Sequence, residues 1–375
     1  MVCSGLFVGG LLVSAVSAFT VVDPSQSSLL SRGRRTASRS SLQMALDKPI
    51  LTIGTRGSML ALAQAHETKR RLGEKFPELA EEGAIELKVI STTGDERLEI
   101  ALSEIGGKGL FTKELDVALL TKQVDICVHS MKDVPTWLVD GTILPVNLPR
   151  EDTRDVFISK VAKRIEDLPE GAVVGTASLR RAAQVLYKNP KVKVVNFRGN
   201  VQTRLRKLDE KQVDATMLAL AGLNRLGMTD VATSVLDHDE ILPAVSQGAI
   251  GIQCRADDER VQKYIAPLGC AKTKAAVDCE RAFLGGLDGN CRTPIAGHAF
   301  ITEDGRLKFK GMVSSMDGSE FFYVEKEGAV EDGPKMGKEA ADEITAQCGE
   351  EFLEKLRAAT PHNTLPSPHM YEATA

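Results

Sequence analysis

One local pattern occurs three times in this chain and limits what it can fold into. A short apolar run, Ile50 to Ile53, passes through Gly54-Thr55-Arg56-Gly57-Ser58 into a stretch whose Leu62, Ala65, Leu72 and Phe76 share one helical face. Val173-Val174 passes through Gly175-Thr176-Ala177-Ser178 into a second such face, Leu179, Ala183 and Leu186. Val192 to Phe197 passes through Arg198-Gly199-Asn200 into a third, Val201, Leu205 and Leu208. Ser58 and Asn200 stand where helix N-caps are expected. Strands alternating with helices argue for mainly parallel α/β sheets, with ligands at the carboxyl ends of the strands. The likeness of the first two units points to two α/β domains of common design.

A different stretch carries the densest chemistry. The strand-like run Val124 to Val128 opens into His129-Ser130-Met131-Lys132-Asp133-Val134-Pro135, which places an imidazole, a hydroxyl, an ammonium and a carboxylate at a strand end before a proline halts regular structure. Two readings stand: a catalytic carboxylate flanked by anion-binding groups, or a polar turn with Lys132 and Asp133 solvated. Further strands are expected at Ile85 to Ile90, Thr142 to Val146 and Val213 to Leu220, with Ala221 to Gly227 as the exit of the last. The charged run Arg150 to Asp155 reads as a domain crossover and Leu242 to Ile252 as the return, while Gly106-Gly107-Lys108-Gly109 and the polar stretch before it read as a mobile loop.

Arginines gather at the strand-to-helix junctions: Arg56, Arg180, Arg181, Arg198, Arg204 and Arg225. Guanidinium groups suit carboxylates and phosphates, and no Walker motif is present, so a small polycarboxylate is the expected ligand. The alternative for each arginine singly is a surface ion pair worth little.

The N-terminus is unlike the remainder. Leu6 to Val16 is apolar and followed by small residues, as in a signal peptide, and residues 19–44 are serine-rich with Arg32, Arg34, Arg35 and Arg39 against Asp23 alone. A signal-like segment (1–18) followed by a transit-like one (19–44) matches the bipartite presequence of plastids enclosed by extra membranes; simple secretion followed by a linker is the alternative. Without residues 1–44 the formal charge goes from −4 to −7, since four positive groups and one negative are lost. An acidic mature chain argues against nonspecific nucleic-acid binding. The seven cysteines include no Cys-x-x-Cys pair, so neither a metal site nor a disulfide framework is expected.

From Thr273 the pattern changes to α+β: a helix to about Gly285, the loop Leu287-Asp288-Gly289-Asn290-Cys291-Arg292-Thr293-Pro294, three strands joined at Asp304-Gly305 and Asp317-Gly318, a helix from about Lys335 to Leu356, and a tail from Pro361. Cys291 lies beside a guanidinium that favours its thiolate, though a loop cysteine is more often inert.

Ile53-Gly54-Thr55-Arg56-Gly57-Ser58, Gly106-Gly107-Lys108-Gly109-Leu110-Phe111, Val128 to Pro135, Gly175 to Arg181, Arg198-Gly199-Asn200-Val201 and Leu287 to Cys291 stand in the order of a known family. From about Pro49 to Leu356 the chain resembles porphobilinogen deaminase, also called hydroxymethylbilane synthase. The resemblance implies two periplasmic-binding-protein-like α/β domains, 48–150 with 244–268 and 151–243, and a small α+β C-terminal domain, 269–360, ahead of the tail at 361–375. It implies a dipyrromethane cofactor attached to Cys291 as primer. Four porphobilinogen molecules are then added with loss of ammonia, and hydroxymethylbilane is released in tetrapyrrole biosynthesis. Asp133 matches the charge-stabilising carboxylate, with Arg56 and Lys132 beside it. Ser130, Lys132, Asp133, Ser178, Arg180, Arg181 and Arg204 match cofactor binders; Arg56, Ser58, Arg198, Arg204 and Arg225 match substrate binders. The glycine-rich segment resembles the family's lid. A monomer in the plastid stroma is implied, without membrane or nucleic-acid partners, its product passing to uroporphyrinogen-III synthase. Ala177 departs from a frequent second serine and Asn290 from a frequent glycine, and Cys291 to Gly297 looks closer to plant and algal versions. The rival reading is a non-catalytic two-domain binding module for small polycarboxylates.

Overall fold

The structure, a computed structural model, describes residues 49–92, 111–289 and 293–359. The presequence, the glycine-rich segment before Phe111, Cys291 and the tail lie outside the described residues.

Among the described residues the strands form three sheets. The first contains β1 (Leu51–Thr55), β2 (Ile85–Val89), β3 (Ile126–Ser130), β4 (Thr142–Asn147) and β10 (Ile250–Arg255), in the order β2-β1-β3-β10-β4. The second contains β5 (Asp155–Ser159), β6 (Val173–Gly175), β7 (Lys193–Val195), β8 (Ala215–Ala219) and β9 (Ser234–Leu236), in the order β7-β6-β8-β5-β9. The two orders are the same design. In each sheet one strand runs against its neighbours, β10 in the first and β5 in the second, and each is laid down just after the chain crosses from the other domain. The common design read from the repeated strand–turn–helix unit is therefore a property of whole domains.

Helix α1 (Met59–Lys75) follows β1, and the Ser58 hydroxyl accepts from Ala61 N at 3.2 Å, which satisfies one of the free N–H groups of the first turn. Its buried stripe is Gln64, Ala65, Thr68 and Leu72, rotated from the apolar face expected, with Leu62 and Phe76 only half-buried. Gln64 explains the rotation, because its amide exchanges hydrogen bonds with the Ser130 hydroxyl at 2.9 and 3.1 Å. Helix α2 (Lys113–Leu120) leads into β3. That strand does not stop at Val128 as expected: pairing of His129 with Gly251 and of Ser130 with Ile250 carries it two residues further, before a turn of 3-10 helix at Met131–Asp133.

In the second domain, α3 (Leu179–Lys188) is capped by Ser178 and α4 (Val201–Asp209) by Asn200, whose side chain accepts from Thr203 N at 2.8 Å. Two features here go beyond the sequence reading. The exit from β8 is helix α5 (Leu220–Leu226), which starts directly at the end of the strand. The charged run Arg150 to Asp155 ends in a strand, because Val156-Phe157-Ile158 is fully apolar and pairs on both sides, a three-residue signal too short to separate from its charged flank.

Helix α6 (Glu259–Ile265) follows β10 and packs into the core of the first domain. The C-terminal domain is built on α7 (Ala271–Gly286), the antiparallel strands β11 (Ile295–Ile301), β12 (Leu307–Ser314) and β13 (Phe321–Gly328), and α8 (Gly333–Cys348). Phe283 of α7 meets Phe309 of β12 with ring centroids 4.9 Å apart in its core. The single terminal helix expected is two, since Gly349 at φ +79 breaks the run and α9 (Glu350–Ala359) begins anew.

The two crossovers touch. Glu151 N donates to Gly248 O at 3.2 Å, and Arg150 forms a bidentate pair with the fully buried Glu280 of α7 at 2.8 and 3.0 Å while its Nε reaches Gln247 O at 2.9 Å.

Candidate active site

A cavity of about 620 Å³ opens where the carboxyl ends of the two sheets face each other. The first domain contributes Arg56, Ser58, Ser130, Lys132 and Asp133; the second contributes Arg181, Arg198 and Arg204. A smaller cavity of about 180 Å³ shares Lys132, Asp133, Arg181 and Arg204 with it and continues to Ser178, Arg180, Gln247 and Thr293 of the C-terminal domain. Thr293 lies two positions beyond Cys291. Fold topology thus brings together nine of the candidate binding side chains with Asp133 from turns spread over 149 positions, Arg56 to Arg204, counted inclusively. Arg225 lies elsewhere. It donates to Gly248 O at 2.7 Å and lines a separate cavity of about 440 Å³ with Arg70, Arg71 and Glu67, on the other side of α1.

Among the described residues Asp133 is the only carboxylate that lines either of the two joined cavities. Its Oδ2 stands 3.6 Å from Arg56 Nη1, and the Arg56 guanidinium lies over the Phe111 ring at 4.2 Å. The cations around it are desolvated. Burial, with Arg181 and Arg180 adding to it and Asp133 opposing it, brings the Lys132 ammonium down to about 8. Burial, with Arg181 and Arg198 nearby, brings Arg204 down to about 10, and burial lowers Arg198 as well. Cations held together at this cost in solvation are matched to a ligand with several negative groups.

His129 also lines the larger cavity, but its Nε2 is committed. The ring lies 2.8 Å from Gln253 Oε1, and the Gln253 amide nitrogen donates to Asp116 and Thr142 at 2.8 and 2.9 Å. That fixes the glutamine's orientation, so Nε2 carries the proton and donates. Burial pushes the imidazole down to about 4, which leaves it neutral and structural.

Sequence reasoning missed Gln64, which lines the larger cavity between α1 and Ser130, and Asp155, which binds both Arg180 and Arg181. Gln64 fell on the expected solvent side of α1. Asp155 was hidden in a charged run that resembled solvated crossover.

The family model described as porphobilinogen deaminase, dipyromethane cofactor binding domain, matches residues 51–263, and that described as porphobilinogen deaminase, C-terminal domain, matches 274–346. The chain belongs to the porphobilinogen deaminase family. It is 57% identical over 310 residues to the chloroplastic porphobilinogen deaminase of Oryza sativa subsp. japonica, covering 82% of this chain and 87% of that one. The chloroplastic porphobilinogen deaminase of Pisum sativum is 56% identical over 307 residues, 81% of this chain and 83% of that one. The porphobilinogen deaminase of the bacterium Nitrobacter winogradskyi is 53% identical, covering 81% and 95%. Among solved structures the methionine-binding protein MetQ aligns remotely, at 16% identity and a TM-score of 0.38, over 58% of this chain and 89% of that one. Membership makes the chain a transferase with a dipyrromethane-binding domain, and the binding-module alternative is not better supported.

Proposed function

We propose that the joined cavities carry out the deaminating polymerisation of four porphobilinogen molecules on a dipyrromethane primer attached to Cys291, releasing hydroxymethylbilane. The observation that carries this reading is that, among the described residues, Asp133 is the one carboxylate set among Lys132, Arg181, Arg198 and Arg204 in a two-domain cleft whose lining reaches Thr293, two positions beyond the cysteine. The donor set fits the primer. Each pyrrole bears an acetate and a propionate, and Lys132, Ser130, Ser178, Arg180, Arg181 and Arg204 offer charge-assisted or hydroxyl donors to them. Bound, the primer supplies the terminal pyrrole carbon to which each new unit is joined.

Asp133 opposes the positive charge that develops near the substrate's ring nitrogen as its amine departs, and handles the proton released there. Arg56 orients that carboxylate through the 3.6 Å contact and, with Ser58 and Arg198, holds the incoming substrate's side chains. Arg225 serves substrate only indirectly, by holding the second crossover at Gly248.

The domain limits follow the crossovers: 48–150 with 244–268, 151–243, and 269–360. Residues 1–44 act as a bipartite plastid presequence, in keeping with the chloroplastic relatives, and place a monomeric enzyme in the stroma, where uroporphyrinogen-III synthase takes its product. Among the described residues no helix is long and apolar enough to cross a membrane. Intact-mass measurement tests the central reading: the processed chain should be heavier than its sequence by one dipyrromethane, and Cys291→Ser should lose the adduct and the activity. An unmodified chain with full turnover would refute it.

A further inference from the structure

Asp155 lines neither cavity and has no accessible surface, yet four N–H groups converge on its carboxylate. Arg180 Nη2 and Arg181 Nε each donate to Oδ2 at 3.0 Å, and Arg181 Nη2 and Gln247 Nε2 donate to Oδ1 at 2.7 and 2.8 Å. Two bonds on each oxygen fill the acceptor sites of a carboxylate. Arg181 is thereby held in a fork, with Nη1 turned onto Met217 O at 2.9 Å, and Arg180 Nη1 is turned onto Leu242 O at 2.8 Å. Asp155 begins β5 directly after the first crossover, while Leu242 and Gln247 belong to the second. Both crossovers and the first turn of α3 therefore meet at one carboxylate, on the protein side of the arginines that wall the cleft.

We propose that Asp155 is a positioning residue for the carboxylate-binding site: it fixes the Arg180–Arg181 pair and offsets half of its charge, which lets Lys132 serve the same site. This rests on the reading that Lys132 and Arg181 hold ligand carboxylates. The charged groups facing Lys132 are Asp133 on its own turn, Arg180 and Arg181 on α3, Asp155 on β5, and Arg204 on α4 across the shared cavity walls. Both carboxylates favour the ammonium and both α3 guanidinium groups oppose it. With Asp155 neutral, two uncompensated guanidinium groups act on Lys132 in a poorly solvated site, and its proton is lost at lower pH.

The test is the pH dependence of kcat and KM for porphobilinogen in holoenzyme whose adduct has been verified by mass. Asp155→Asn should raise KM about tenfold with kcat changed far less, and should move the alkaline limb of kcat/KM down by about one pH unit. Asp155→Glu, which keeps the charge but displaces it, should raise KM and leave the limb in place. Asp155→Asn with Arg180→Met restores one net positive charge and should return the limb to the parental position. If the single Asn variant does not fold, the other two decide: a displaced limb in the double variant overturns the proposal, as does an unmoved limb in Asp155→Asn. Lys132→Arg separates the underlying reading, since it should carry the limb to higher pH; a limb indifferent to that change removes Lys132, and the proposal with it.

Discussion

In the proposed reaction the chemistry rests on Asp133, a half-exposed carboxylate that the fold's core does not need. Its side chain retains 31% exposure and its ion partner Arg56 stands at 3.6 Å, so its replacement removes little packing. Asp133→Asn should therefore keep the thermal midpoint of the parent while lowering kcat roughly 100-fold or more, the scale seen when one group is removed from a preorganised charge-stabilising site. His129 sits four residues earlier with the opposite profile. It is buried and its Nε2 donates to Gln253, so His129→Asn should show the larger loss of stability and the smaller loss of turnover. Reversal of that order in parallel kinetic and unfolding measurements would exchange the two roles. The place of Asp133 at a strand end was legible in the sequence because an apolar run followed by Pro135 is a local signal, whereas the role proposed for it came from the family resemblance. The commitment of His129 was not legible, because Gln253 is 124 positions away.

Between elements, the contact of the two crossovers decides how the cleft walls are set. Gly248 has φ +83, and a Cβ there would lie 2.5 Å from the Glu151 carbonyl oxygen, which is backbone and has no room to yield. Gly248→Ala should destabilise the chain by about 2 kcal/mol, read as a lower urea midpoint at unchanged slope, and should raise KM by moving the second crossover, Gln247 with it, away from Arg225 and Asp155. Parental stability and KM in that variant would mean that the crossovers do not need this contact. The identity of the opposing strand of chain came only from the fold.

For the molecule as a whole, neutral buried histidines set the acid limit of stability. His298 of β11 stacks on His238 at 4.0 Å between ring centroids, and both nitrogens reach Thr153 Oγ1, at 3.1 and 2.7 Å, where the first crossover meets the C-terminal domain. Burial holds His298 down to about 2 and His129 to about 4, and lowers His238 too. An unfolded histidine takes up its proton near pH 6.5, so between that pH and the folded values the unfolded chain binds more protons. Stability is then full above about pH 6.5 and falls as pH drops through 6 and 5. The free energy of urea unfolding should be lower at pH 5 than at pH 7.5 by a few kcal/mol (~2 kcal/mol for a histidine shifted as His129 is), and a flat profile would exclude the histidines as the cause. The amino-acid sequence by itself determined that two α/β units and an α+β unit follow one another, and that arginines and one carboxylate stand at strand ends, because periodicity, turn residues and caps act over a few positions. Only the tertiary structure decided that Arg225 turns away from the cleft, that Gln64 faces it, and that Asp155 is drawn out of a charged run to bind Arg180, Arg181 and Gln247 at separations of 25, 26 and 92 residues. Those choices depend on which distant groups share a desolvated space, and no local pattern records that.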